Sequence, residues 1–224
     1  MKAILHKNEL GCGIYTAGDI SRILKINPAK VRHYIDQFWD ERIGKKLFND
    51  TYTWKVDNRV KAVNFYVLIE FYTFFKLKEL GVKTNKILKA REHIAKEFHI
   101  EYPFASMQVL TDGKIIWYEF QNDVINADGS NQTNFKNIIE CFAKRIDFHE
   151  NLMAERYWPA GRESQIIIDP HHQFGQPTIN GTNINAEVIY SMYKSGEPIE
   201  SIGILYDLAK SEVQDAINFY RKAA

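Results

Sequence analysis

The sequence predicts a mainly α-helical α+β fold with small β-hairpins. It would hold an N-terminal winged helix-turn-helix, a middle helical and hairpin segment, and a C-terminal three-helix module shaped like a second helix-turn-helix. Three observations carry this. Apolar residues recur at helical spacing in short blocks, most of them opened by a capping residue. Gly, Asn, Asp and Pro separate short extended runs, as hairpins require. Charge is uneven along the 224 residues: residues 1–62 hold 12 Lys and Arg against 7 Asp and Glu, residues 63–165 hold 13 against 14, and residues 166–224 hold 4 against 7. The net charge of +1 hides a basic start and an acidic finish, so a polyanion would meet the first of these stretches.

The length suits one large domain or two to three small ones, and 45% hydrophobic residues are ordinary for a soluble protein. The chain is expected to divide into units 1–104, 105–165 and 166–224. Met1 to Lys7 is too short and broken for a secretory signal. The apolar run Phe65 to Ile69 is cut by Glu70, so no membrane span is expected. Cys12 and Cys141 lack metal spacing and read as free thiols of a cytoplasmic protein.

The first helix reads from Tyr15 to Leu24, with Thr16 as N-cap and Asp19 three residues on, a capping-box variant. Ile20, Ile23 and Leu24 form its apolar stripe. Lys25-Ile26-Asn27 is the turn. Asn27 caps a second helix, Pro28 fits its first position, and the helix runs to about Trp39 with Val31, Ile35 and Phe38 inward. Lys30, Arg32 and His33 then fall on other faces, near the half of a recognition helix that enters the major groove. Arg matches the paired acceptors of guanine and Lys the phosphate oxygens. Arg42, Lys45 and Lys46 lead into Leu47-Phe48, Asn49-Asp50 and Thr51 to Trp54, read as a two-stranded wing with a polar tip.

Residues 63–98 predict two helices, the first with a broad apolar surface that includes Phe65, Leu68, Tyr72 and Phe75, stopped at Gly81. Those aromatics suit core and dimer contact better than a ligand pocket. Residues 107–120 predict a hairpin around Asp112-Gly113, residues 126–134 a polar loop, and Phe135 to about Asn151 a helix that includes Ile138, Phe142, Ile146 and Phe148. Pro159 to Ser164 reads as a linker.

The last module starts with two extended runs, Ile166-Ile167-Ile168 and Gln176 to Ile184. Three helices follow: Ala186 to Tyr193, one from Pro198 with Ile199, Ile202 and Leu205 inward, and one capped by Ser211 with Val213, Ala216, Ile217 and Tyr220 inward. Its third helix opens with Glu212 and Asp215, which would face phosphates with like charge. The module therefore reads as a protein-interaction or dimerisation unit rather than a second DNA reader. His171-His172 has no third ligand at regular spacing, Gly175-Gln176-Pro177 is no phosphate loop, and no nucleophile–base pair appears. The reading is of a non-enzyme with no cofactor and no metal.

Four stretches resemble two known families. "YTAGDISRILKINPAKVRHYI" and "LKELGVKTNKILKARE" are similar to the opening and the post-wing step of MerR-like winged helices. The resemblance implies a dimer on near-palindromic double-stranded DNA, with Arg32 and Tyr34 at DNA-facing positions; on spacing alone Tyr34 fits the core equally well. The sequence departs where Phe38-Trp39-Asp40 replaces the usual glycine-leucine step. "IIIDPHHQFGQPTINGTNI" and "SGEPIESIGILYDLAKSEVQDAINFY" resemble the domain of unknown function 433 family. That resemblance implies a VapB-type antitoxin that binds its own promoter and neutralises a PIN-type ribonuclease toxin. Arg156, Arg162, Arg221 and Lys222 are candidates for blocking the acidic nuclease site. Candidate DNA contacts are Thr16, Lys30, Arg32, His33, Tyr34, Arg42, Lys45 and Lys46. The alternative is a MerR-like transcription regulator with a small-molecule pocket in the middle segment.

Overall fold

The computed structural model describes residues 11–57, 60–106 and 143–221. The hairpin expected at residues 107–120, the polar loop at 126–134 and most of the helix expected from Phe135 lie outside the described residues, as do Cys141 and Lys222.

Strand β1 (Tyr15–Thr16) leads into helix α1 (Ala17–Leu24). The capping box is formed. Thr16 Oγ1 accepts from Asp19 N at 3.2 Å, and Thr16 N donates to Asp19 Oδ2 at 2.9 Å. The two bonds satisfy donors that a helix start leaves unpaired. Thr16→Ala is expected to lower stability by about 1 kcal/mol, read as the free energy of urea unfolding. Lys25 adopts a left-handed conformation (φ 58°) that ends α1. Asn27 then caps α2 (Pro28–Tyr34), its side chain accepting from Ala29 N and Lys30 N.

Beyond Tyr34 the helix continues as a π-helical stretch, Ile35–Gly44, and closes as α3 (Lys45–Phe48). The buried positions explain the widened turn. Ile35, Trp39, Asp40, Ile43 and Gly44 all face inward, spaced by four and five residues. Gly44 is required by close approach: a Cβ there would lie 2.6 Å from Asp50 O. The wing expected to start at Leu47-Phe48 is corrected. Those residues close the helix, Asn49 ends it with φ 55°, and the strands are β2 (Trp54–Asp57) and β3 (Val60–Val63). Strand β3 pairs antiparallel with both β1 and β2, giving the order β1-β3-β2.

Helices α4 (Phe65–Glu79) and α5 (Thr84–Phe98) match the two predicted helices. α4 is almost wholly buried and forms the centre of the main core. Trp39 stacks on Phe71 at 4.4 Å, and Tyr34 packs edge-on against Phe74 and Phe75. The helix expected through Ile146 and Phe148 is corrected. Ile146–Phe148 is strand β4, paired with β5 (Ala154–Tyr157), because Ile146 and Tyr157 both enter the core across the hairpin.

Tyr157 and Ile168 exchange backbone hydrogen bonds at 2.9 and 2.8 Å. The expected linker is thus spanned by a backbone pairing that ties the middle segment to the last module. There β6 (Ile166–Ile167) pairs with β7 (Thr178–Ile179), followed by α6 (Ala186–Lys194), α7 (Ile199–Tyr206) and α8 (Lys210–Arg221). The last helix starts one residue before Ser211, and its cap comes from elsewhere: Ala209 N donates to the Glu212 carboxylate at 2.7 Å. Ile166, Ile179, Ile189, Ile202, Val213 and Ile217 form a second, smaller core. Among the described residues no helix is long and apolar enough to cross a membrane.

Candidate nucleic-acid interface

Helix α2 turns its hydrophobic side onto α4 and its basic side outward. Val31 and Tyr34 are buried, while Lys30, Arg32 and His33 are exposed. The neighbouring cations are largely spent. Arg22 pairs with Asp19 at 2.7 Å and Glu187 at 3.0 Å, Lys45 with Glu41 at 2.6 Å, and Lys61 with Asp36 at 2.7 Å. Arg32 and Lys46, by contrast, carry no ion pair or hydrogen bond among the described residues. Lys30 has no carboxylate partner there either; its ammonium sits 5.3 Å from the centre of the Phe75 ring. His33 lies edge-on to Tyr34 and Phe38. An exposed guanidinium with no internal partner keeps all its donors for an external acceptor.

Three of the candidate contacts sit differently from the sequence expectation. The Tyr34 ring is only 7% exposed, and its hydroxyl accepts from Lys78 Nζ at 3.1 Å. Burial by itself would raise that phenol; the Lys78 and Thr84 hydrogen bonds and the charges of Lys78 and Lys30 bring it below its ordinary value. Its position is therefore the core one, with the oxygen engaged inside the protein. Arg42 is half-buried, donating from Nε to Glu92 at 2.7 Å and from Nη1 to Asn85 at 3.3 Å. It fastens the π-helical stretch to α5. Thr16 donates its hydroxyl proton to Asp19 Oδ2 at 2.6 Å, so that hydroxyl serves the cap. The spacing pattern could not reveal the pairing of Arg42, because Glu92 lies 50 residues away.

The C-terminal module leans directly on α1. Arg22 bridges to Glu187 on α6, and Lys25 Nζ donates to Phe219 O at 2.8 Å while lying 4.4 Å from the Phe219 ring centre. Between the two units lies a cleft of about 580 Å³. Its walls include Ile23, Lys25, Tyr72, Phe75, Arg145 and Asp215. Among the four distal cations, Arg156 pairs with Asp169 at 3.1 Å and Arg162 with Asp147 at 2.6 Å. Arg221 instead donates to the neutral Tyr193 hydroxyl at 3.0 Å. No group of three or more potential metal ligands occurs among the described residues; His172 Nδ1 lies 3.1 Å from Asp169 Oδ2.

Residues 166–220 match the model of the family described as "Protein of unknown function (DUF433)". A protein of Mycobacterium tuberculosis (strain ATCC 25618 / H37Rv) described as "Putative antitoxin VapB45" is 22% identical over 164 residues, which cover 67% of this chain and 68% of that protein. Uncharacterized protein Rv2308 of the same organism is 34% identical over 58 residues, 26% of this chain and 24% of its own length. The crystal structure of Rv2018 from Mycobacterium tuberculosis superposes with a TM-score of 0.71, covering 95% of this chain and 99% of that one at 17% identity. The likeness is one of fold, and the mainly helical α+β architecture is shared along nearly the whole chain.

Proposed function

We propose that this protein is the antitoxin of a type II toxin–antitoxin pair. Its N-terminal unit acts as a winged helix-turn-helix that binds its own promoter as a homodimer, and a distal segment neutralises a PIN-type ribonuclease. The observation that carries the DNA half is the outward face of α2, where Lys30 and Arg32 stand exposed with no carboxylate partner among the described residues while Arg22, Lys45 and Lys61 are paired. The β2–β3 hairpin follows the same helix, in the order a wing requires. The relative described as an antitoxin and the match over residues 166–220 support the other half. The role is binding rather than catalysis, in the cytoplasm. Of the distal cations proposed to enter the acidic nuclease site, Arg221 retains its charge without a carboxylate partner among the described residues.

The test is an RNA-cleavage assay with the nuclease encoded beside this protein. Addition of the purified antitoxin is expected to abolish cleavage; a nuclease that cuts at the same rate in its presence removes the antitoxin assignment. A second reading, a MerR-like regulator with a small-molecule pocket, draws support from the cleft of about 580 Å³, a size that suits a metabolite. A thermal shift of the protein with a metabolite set would favour it. The pocket would then sit between the two units rather than within the middle segment alone.

A further inference from the structure

The cleft of about 580 Å³ between the two units is lined by two polar groups that the fold itself leaves unused. Tyr157 is the first. Its backbone is fixed by the pairing with Ile168, and its ring packs on Tyr72 at 4.8 Å between centres. The residue is only 2% exposed, yet its hydroxyl has no hydrogen-bond partner among the described residues. Burial pushes this phenol well above its ordinary value; Tyr72 and Glu79 add to the rise and Arg145 opposes it. The group therefore keeps its proton and remains a donor. A buried donor without an acceptor costs free energy, and a ligand oxygen in the cleft would remove that cost.

Arg145 is the second. It is half-buried, and its Nη1 donates to Pro159 O at 3.2 Å. Among the described residues it has no carboxylate partner, and its Nε and Nη2 make no hydrogen bond. The other cations of the cleft are engaged, Lys76 with Glu79 at 2.6 Å and Lys25 with Phe219 O at 2.8 Å. Arg145 acts electrostatically on both Tyr72 and Tyr157, so guanidinium and phenol share one wall.

The rest of the lining selects the ligand. Ile23, Phe75 and Phe219 are each under a tenth exposed and offer apolar surface. Lys25, Lys76 and Arg145 are matched in number by Glu79, Glu163 and Asp215, so the lining carries no net formal charge. Such a lining does not gather a dianion, but one uncommitted guanidinium suits one negative charge. Its planar fork matches the two oxygens of a carboxylate.

We propose that the cleft binds an organic monocarboxylate with an apolar body. The carboxylate accepts from the Arg145 guanidinium and the Tyr157 hydroxyl, and the body lies against Ile23, Phe75 and Phe219. Ile23 belongs to α1 and Phe219 to α8, so the ligand would touch both units at once. The inference rests on the small-molecule reading of the cleft and stands apart from the antitoxin assignment.

Titration calorimetry of the full chain with phenylacetate, indole-3-acetate and octanoate, each beside its primary amide, tests this. At least one acid is expected to bind, roughly tenfold or more tightly than its amide. Arg145→Gln should lower the affinity of that acid by roughly ten- to a hundredfold, as loss of a charge-assisted hydrogen bond implies, and leave the amide unchanged. Tyr157→Phe should lower it by about two- to tenfold. The melt of that variant should hold, because the hydroxyl it removes bonds to nothing among the described residues. Acids and amides that bind equally well, or an acid affinity untouched by both variants, overturn the proposal while leaving the cleft a binding site. Phenyl phosphate binding more tightly than phenylacetate overturns the single-charge class. If none of the acids and amides binds, the small-molecule reading falls together with this inference.

Discussion

Arg91→Ala is expected to lower stability by about 3–5 kcal/mol, because it strands a fully buried carboxylate. Arg91 and Glu70 are both 0% exposed and meet at 2.7 Å. The carboxylate also accepts from Trp39 Nε1 at 2.8 Å and from Phe104 N at 3.4 Å, while the Arg91 guanidinium reaches the Tyr52 hydroxyl and Glu101 O. One charge pair thus fastens the π-helical stretch, α4, α5 and the loop before Phe104. For a chain of this size the loss corresponds to a melting point lower by roughly 6–20 °C, and guanidinium unfolding gives the free energy directly.

Glu70→Leu combined with Arg91→Met should recover much of that loss, since it removes both charges instead of orphaning one. The pH dependence is a second check. Burial pushes the Glu70 carboxyl up from its ordinary value, with Arg91 and the hydrogen bonds pulling the other way. A raised carboxyl holds its proton in the fold at a pH where the unfolded chain has lost it. Its charging therefore costs stability as pH rises through that interval. Arg91→Ala removes the strongest opposing pull, so the variant's deficit should shrink as pH falls from neutral into the acid range. A deficit under about 1 kcal/mol, or one that grows with acidity, would show that the pair does not hold the frame.

What the sequence made legible was local. Thr16 and Asp19 lie three residues apart and form the box; Asn27 and Pro28 open α2; the apolar stripes of α4 and α5 and the Ile166–Ile179 pairing follow from periodicity. What it hid depended on distant partners or on a change of helical pitch. The π-helical stretch has no signature at the usual spacing, and its extra length moved the hairpin strands to Trp54 and Val60. Ile146 and Phe148 fit a helical period but found strand partners in β5. Arg91 did carry a signal. It stands on the stripe of Ile87, Leu88, Ile94 and Ala95, and Glu70 interrupts the apolar run of α4, so two opposite charges on two core faces could have been read as a pair. Leu205 fits the inward period of α7, but Ile202 and Leu208 already fill that side. For the candidate interface, spacing placed Lys30, Arg32 and His33 on the outer side of α2; only the structure separated the cations without a partner among the described residues from those already paired.

That separation sets the second prediction. Arg32→Ala is expected to weaken binding to the protein's own upstream DNA by about 1–3 kcal/mol and to relax the preference over random duplex, if Arg32 grips a guanine edge. Lys30→Ala should weaken binding evenly on both DNAs and lower the salt slope by about one, as a phosphate contact would. Arg42→Ala should do neither, because its guanidinium is committed to Glu92 and Asn85, and Tyr34→Phe should likewise leave affinity unchanged, its hydroxyl being held by Lys78. Fluorescence anisotropy over a salt series measures all four. The ordering matters more than any one value: simple electrostatic attraction to a basic surface would make Arg42 and Arg32 equivalent, whereas a reading helix makes them differ, since Arg42 is held by Glu92 and Asn85 while Arg32 has no internal partner among the described residues. Equal losses for the two would mean the N-terminal unit holds DNA by charge alone, and the operator would then have to be recognised elsewhere.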